Sequence, residues 1–239
     1  QKNAVSDIED LKAELETVRL EMANAAMDLH LKRQASAPAL AVKAEELIRP
    51  LALNGLGLKF NIEPDKNASG DVELDGKVCR VDDRGADKVV LLARTNRGES
   101  WNSVSEVASG GEKSRIYLGL SVLEAETGIT PLLLFDEIDA GLGMDNAVPV
   151  ARLLHRLSRR GQVLCITHLP TVAAVGDNHL KVHKAVSEGR TTVSVEPLVG
   201  TRRVDELARL LGGESGGGNN REAQVAYARQ LLDEGAASA

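Results

Sequence analysis

"ITPLLLFDEIDAGLG", residues 129–143, runs apolar through Leu132, Leu133, Leu134 and Phe135 and then stops on two adjacent carboxylates, Asp136 and Glu137. A short apolar run bounded by turn residues reads as a buried strand, with all four of these side chains in a core. Such a strand needs no charge at its tip, and neighbouring anions repel each other. The pair makes sense where a cation, or a water that needs a base, sits at the strand's end. Open α/β sheets hold their ligands at the carboxyl ends of their strands.

The flanking segments support an α/β lobe. "MDNAVPVARLLHRLSRRG" reads as the next helix, and "QVLCITHLP" as another apolar strand that ends on Thr167 and His168. Upstream, "SEVASGGEKSRIYLGLSVLEAETG" places Ser109 and Glu112 at capping-box spacing, so a helix begins at Gly110 with Ile116, Leu120 and Leu123 on one face. "LGLKFNIEP", "DVELDGKVCRV" and "ADKVVLLART" read as strands separated by Asn, Asp and Gly turns, and "HLKVHK" with "TTVSVEPL" as a final hairpin or edge pair. "VDELARLLGG" and "REAQVAYARQLLDEG" close the chain as helices, joined by the flexible "GGESGGGNN". No internal repeat is present.

The first segment has a different period. Ile8, Leu11, Leu15, Val18, Met22, Ala25 and Leu29 alternate spacings of three and four, the seam of a coiled coil. A stripe this narrow needs a partner helix. The seam is expected to break near Ser36 and Pro38, with a second helix over "PALAVKAEELIRPLAL". Residues 1–53 are therefore expected to form an arm and connecting helix, and residues 54–239 the lobe.

Composition narrows the classes. Aromatics make up 2% of the 239 residues and the formal net charge is −6, which disfavours stacking platforms for single strands and a uniformly basic nucleic-acid binder. Cys79 and Cys165 have no metal-ligand spacing and read as buried free thiols of a reducing compartment. No apolar run reaches membrane-spanning length, and the start is no signal peptide. The absent initial Met and the opening in mid-helix are the marks of a fragment.

Three polar sites fall at strand ends or helix starts, and each suits a magnesium nucleotide. The helix opened by Ser109, Gly110 and Gly111 presents unpaired N–H groups and a positive dipole end to phosphate, and its glycines let phosphate approach the backbone. Asp136 is suited to hold Mg²⁺ through water, and Glu137 to act as general base toward the attacking water. His168 is placed to contact a γ-phosphate and sense its loss. Singly, each has a plain alternative: a strand end that caps a helix, an ordinary helix start, a satisfied loop histidine. Arg152, Arg156, Arg159 and Arg160 invite a DNA-phosphate reading, but cations near a helix C-terminus are favourable on dipole grounds alone.

In order, "ASGGEKSR", "LLLFDEIDAGLG" and "CITHLP" match the signature loop, Walker B, D-loop and switch histidine of an ABC-type ATPase head. No G-x-x-x-x-G-K-[ST] occurs, so the loop that cradles phosphates is missing. A coiled coil just before this half of the head is the pattern of SMC-like ATPases. Within that group the chain resembles the RecN family of bacterial DNA repair proteins, through "VASGGEKSRI", "LLLFDEIDAGLG", "QVLCITHLPTVAAVGDNHLKVHK", "GADKVVLLARTNRGES" and the tail "VDELARLLGG". Lys113 stands where that family usually has Leu, which makes this position solvent-facing, and "NRGES" lacks the family's usual Pro.

The resemblance implies the C-terminal lobe of a P-loop NTPase-like head after a coiled-coil arm, acting in recombinational repair of double-strand breaks in the bacterial cytoplasm at the nucleoid. It implies ATP and Mg²⁺ as cofactors. The implied partners are DNA, a second head in an ATP-dependent homodimer, and an N-terminal half carrying Walker A, without which this chain is inactive. Asp136, Glu137 and His168 would serve the site in cis, Ser109, Gly110 and Gly111 the site in trans, with Asp139 and Gly141 in the D-loop between them. The alternatives are another SMC-type chromosome ATPase, a transporter ATPase segment and a non-catalytic coiled-coil scaffold.

Overall fold

Lys2–Ile48 form one helix, α1, that passes through Ser36 and Pro38 without a break. The expected interruption is absent although Pro38 removes the hydrogen bond to the Gln34 carbonyl and its ring crowds that oxygen. Burial of Ala41, Ala44 and Ile48 beyond it holds the helix on course. The structure, a computed structural model, describes residues 2–67, 69–70, 72–74, 76–94, 96, 98–128, 132–187, 190–212 and 220–237; within these, the side chains of 2–6, 186, 187, 190 and 237 are left aside. The glycine-rich joint therefore lies largely outside the described residues. Two compact units result: residues 1–45 with 55–107, and residues 46–54 with 108–239.

In the first unit, β1 (Gly57–Pro64) pairs antiparallel with β4 (Asp87–Arg94), and β5 (Asn102–Ser103) lies on the other edge of β4, followed by the short α2 (Val104–Val107). "DVELDGKVCRV" folds as a hairpin, β2 (Val72–Leu74) against β3 (Lys77–Cys79). Gly76 turns it with φ of +72°, a conformation glycine adopts without strain. Met22, Ala23, Ala26 and Met27 of α1 pack on Val72, Leu74, Cys79 and Ala86. From Asp7 to Leu20 the helix is exposed on every side, Ile8 at 52% and Leu11 at 64%.

The second unit is built on a βαβ element. β6 (Leu133–Phe135) and β7 (Val163–Cys165) run parallel, in register from Leu133 opposite Val163 to Phe135 opposite Cys165, and α4 (Met144–Ser158) crosses between them. α3 (Gly110–Ala125) supplies Leu118, Val122 and Ala125 to the core that Phe135, Ile138, Val150 and Leu154 fill. The end of α1 meets α3 at Gly119, where a β-carbon would lie 2.3 Å from Ile48 Cγ1. Leu133 and Phe135 are buried as expected, whereas Leu132 and Leu134 are 60% and 57% exposed. Side chains of a strand alternate between its faces, and one face of this sheet is bare. Leu164 and Ile166 extend that bare face.

After the short α5 (Pro170–Ala174) come the hairpin β8 (His179–Ser187) and β9 (Arg190–Leu198), then α6 (Thr201–Gly212) and α7 (Arg221–Ala237). Ala174, Leu207, Ala208, Ala228 and Leu231 form a small core among α5, α6 and α7. Arg203 of α6 donates to the carbonyls of Ala173, Ala174 and Gly176, filling the acceptors left open where α5 ends. Leu180, Val182, Val193 and Val195 of the hairpin remain exposed. No helix among the described residues is long and apolar enough to cross a membrane.

Candidate functional site

The turn after β6 brings the candidate residues together. Asp136 Oδ1 accepts the N–H of Glu137 at 2.9 Å, and Glu137 itself has φ of +57°, rare for a residue with a side chain. Such a conformation costs about 1–3 kcal/mol and persists where surrounding bonds enforce it. Here the Ala140 N–H closes the turn onto the Glu137 carbonyl at 3.0 Å. Both carboxylates are exposed, and neither accepts a side-chain hydrogen bond among the described residues.

The start of α3 lies against this turn. Ser109 caps the helix as its sequence demands: its Oγ accepts from the Glu112 N–H, while the Glu112 carboxylate accepts from the Ser109 N–H at 2.8 Å. That backbone donor is the main reason the Glu112 carboxyl titrates below the ordinary range. A β-carbon on Gly110 would sit 2.6 Å from Glu137 Oε2, and one on Gly111 2.9 Å from the Ala140 carbonyl oxygen. Gly111 is thus glycine because the backbone of the 136–140 turn crowds it, a reason additional to any approach by phosphate.

Two residues missed by sequence reasoning secure the junction. Arg115, 5% exposed on α3, donates from Nη1 to the carbonyls of Ile138 and Ala140, each at 3.2 Å. Burial pulls its guanidinium below the usual value, and Glu112 opposes the shift. Ser114 Oγ donates to the Asp136 carbonyl at 2.9 Å. The one signal available was an arginine wedged between inward-facing helical positions. Lys113 is exposed, as its divergence from the family pattern implied.

Asp139, only 3% exposed, binds the loop after β7. Its Oδ2 accepts from Thr167 Oγ1, from the N–H of His168 at 2.9 Å and from that of Leu169 at 3.3 Å. His168 Nδ1 lies 3.1 Å from the same oxygen, while the side chain is 67% exposed. Gly141, with φ of +73°, continues the turn. Asp136, Glu137, Ser109, Gly110, Gly111, Asp139, Gly141 and His168 therefore occupy one connected set of elements in the second unit. Arg156 is paired with Glu126 at the far end of α4.

Among the described residues no three acidic, histidine or cysteine side chains form a metal cage. Asp136 still fits Mg²⁺, which binds through one or two carboxylates plus phosphates and water, because its Oδ2 accepts no hydrogen bond among the described residues. The N-terminus of α3 has the donor chemistry to seat a phosphate.

No protein-family model matches the sequence. Individual proteins do. The chain is 37% identical over 229 residues to the DNA repair protein RecN of Haemophilus influenzae, covering 95% of this chain and 38% of that one. It is 36% identical over 221 residues to RecN of Streptomyces coelicolor, covering 92% and 38%. RecN of Bacillus subtilis is 34% identical over 215 residues, covering 89% and 37%. The chain thus spans a little over a third of the length of these relatives. In fold it is similar to the Smc head domain with a coiled coil and joint from Pyrococcus yayanosii, with a TM-score of 0.53 and 24% identity over 88% of this chain and 36% of that one. An Smc head domain with an extended coiled coil from Pyrococcus furiosus gives a TM-score of 0.50 at 22% identity, covering 80% and 43%. The fold is that of part of an Smc-type head domain, preceded by a helical arm.

Proposed function

We infer, from a chain that is RecN-like over nearly its whole length, that it is the signature-bearing part of an ATPase acting in recombinational repair of DNA double-strand breaks. The observation that carries this reading is the convergence of a phosphate-ready helix start, two outward carboxylates and an exposed histidine on the 136–140 turn. In the complete protein, two heads close over ATP. Asp136 holds the Mg²⁺ of the nucleotide in its own head, Glu137 takes the proton of the attacking water, and His168 contacts the γ-phosphate. Ser109, Gly110 and Gly111 seat the γ-phosphate of the opposite head's nucleotide, and the turn through Asp139 and Gly141 runs between the two sites. Bound Mg²⁺ supplies charge neutralisation across the phosphates.

The bare face of β6 and β7 supports a role for the remainder of the protein. Leu132, Leu134, Leu164 and Ile166 are each about half exposed or more, and the chain spans 38% of a RecN relative. The N-terminal part, carrying Walker A, covers that face, and an upstream arm pairs with the exposed stripe of α1. DNA is the macromolecular partner, in the bacterial cytoplasm at the nucleoid. The chain by itself neither binds ATP tightly nor turns it over.

The test uses the complete protein. Glu137→Gln keeps the shape of the base but cannot take a proton, so turnover falls by about 10²–10⁴-fold with nucleotide binding retained. Asp136→Asn weakens magnesium-dependent binding itself. Ser109→Arg spares binding to one head and prevents ATP-dependent head dimerisation. Wild-type turnover by Glu137→Gln, or ATP-dependent dimers of Ser109→Arg, would overturn the assignment.

A further inference from the structure

We propose that Asp139 is a positioning residue for His168: it holds the peptide that carries the ring and faces Nδ1, so that Nε2 is the nitrogen offered to the nucleotide. The inference rests on the role given to His168 above and adds a residue through which that role is set.

A carboxylate can only accept hydrogen bonds. Asp139 Oδ2 lies 3.1 Å from His168 Nδ1, a close charge contact without hydrogen-bond alignment, and a neutral ring with its proton on Nδ1 avoids turning a lone pair toward that oxygen. Nε2, which takes no hydrogen bond among the described residues, is then the free nitrogen of a side chain that is 67% exposed. The same Oδ2 accepts the backbone N–H of His168 at 2.9 Å, so the peptide that carries the ring is tied to the atom that faces Nδ1. Thr167 Oγ1 donates to that oxygen and accepts the Leu169 N–H at 3.0 Å, closing the loop on itself. A carboxylate 4% exposed with these donors around it has little freedom to turn away.

The other side of the turn is equally constrained. Arg115 grips the carbonyls of Ile138 and Ala140, the residues on either side of Asp139. The aspartate is thereby held between the signature helix and the histidine loop. Groups that orient a functional imidazole through its second nitrogen typically change activity by about 10–100-fold when altered.

The test is a double-mutant cycle on ATP turnover in the complete protein, with Asp139→Asn, His168→Ala and the pair. Asparagine keeps the size of the side chain and removes its charge. Asp139→Asn is expected to lower kcat by about 10–100-fold and to leave KM for ATP within about threefold. The pair should be no slower than His168→Ala alone, because a residue that acts through the ring has nothing to add once the ring is gone. Thr167→Val, which removes one donor to Asp139, should show the same lack of additivity and serves if Asp139→Asn does not fold. Losses that multiply in the pair, or a normal kcat in both Asp139→Asn and Thr167→Val beside an impaired His168→Ala, would refute the inference and leave the ATPase reading standing. A normal kcat in His168→Ala would remove the role of the histidine itself, and the inference with it.

Discussion

Two buried carboxylates, Asp87 in the first unit and Asp139 in the second, solve one physical problem toward different ends. Asp87 accepts from His30 Nδ1 at 2.6 Å and from Arg33 Nη1 at 2.9 Å, and its side chain is 1% exposed. Asp139 gathers Thr167, His168 and Leu169 and is 4% exposed. Each draws donors from a distant part of the chain, because a buried charge must be paired. They differ in where the donors lead. His30 is itself 6% exposed, so the Asp87 cluster fastens α1 to β4 and ends there. His168 is 67% exposed, so the Asp139 cluster fastens the backbone beneath a ring and leaves the ring itself largely to solvent. The contrast teaches that burial of a carboxylate does not separate fastening from function; the exposure of its donors does.

The largest effect expected is on the fastening cluster. Asp87→Ala strands a buried imidazole and a guanidinium, and should destabilise the first unit by about 3–5 kcal/mol in a denaturant titration. A loss below about 1 kcal/mol would mean that His30 and Arg33 find water or another acceptor, and the comparison with Asp139 would fail.

A second, smaller effect separates the two glycines beside the Asp139 turn. Gly111→Ala drives a methyl group toward the Ala140 carbonyl, 2.9 Å away in a backbone that Arg115 pins, and should cost about 1–3 kcal/mol in thermal or chemical melting. Gly110→Ala meets only the movable end of Glu137 and should cost less stability. Equal losses from the two would show that the turn is softer than its hydrogen bonds imply.

The smallest effect concerns a half-buried imidazole that lacks such a carboxylate. His179 Nδ1 is buried without a hydrogen bond; burial first, and then Arg203, lowers its pKa from the ordinary 6.5. The unfolded chain therefore binds this proton more readily than the folded one. Its contribution to stability is complete above pH 6.5 and is lost as the pH falls from there toward the depressed folded value. The slope stays below about 1.4 kcal/mol per pH unit, the limit for one proton. Replacing His179 with Asn should flatten the stability profile between pH 7 and 5. An unchanged profile would assign the acid sensitivity to other groups.

What the sequence determined by itself was written in short-range terms. The start of α3 at Gly110 was legible because a capping box spans three residues and needs nothing else. The parallel βαβ unit, the β8–β9 hairpin and the two closing helices followed from apolar periodicity and turn residues, and the ordered motifs led to the likeness to RecN. Tertiary structure decided matters that depend on distant partners. Pro38 sits inside α1 because packing beyond it outweighs one lost hydrogen bond, and local propensity does not register that. Leu132 and Leu134 are exposed because one face of the sheet is uncovered, although a run of four apolar residues looks alike with one face buried or two. Arg115 reaches carbonyls 23 and 25 residues away, and Asp139 binds groups 28 to 30 residues away. No period or propensity encodes such pairings, since they exist only once βαβ closure has brought the 136–140 turn beside the loop that follows β7.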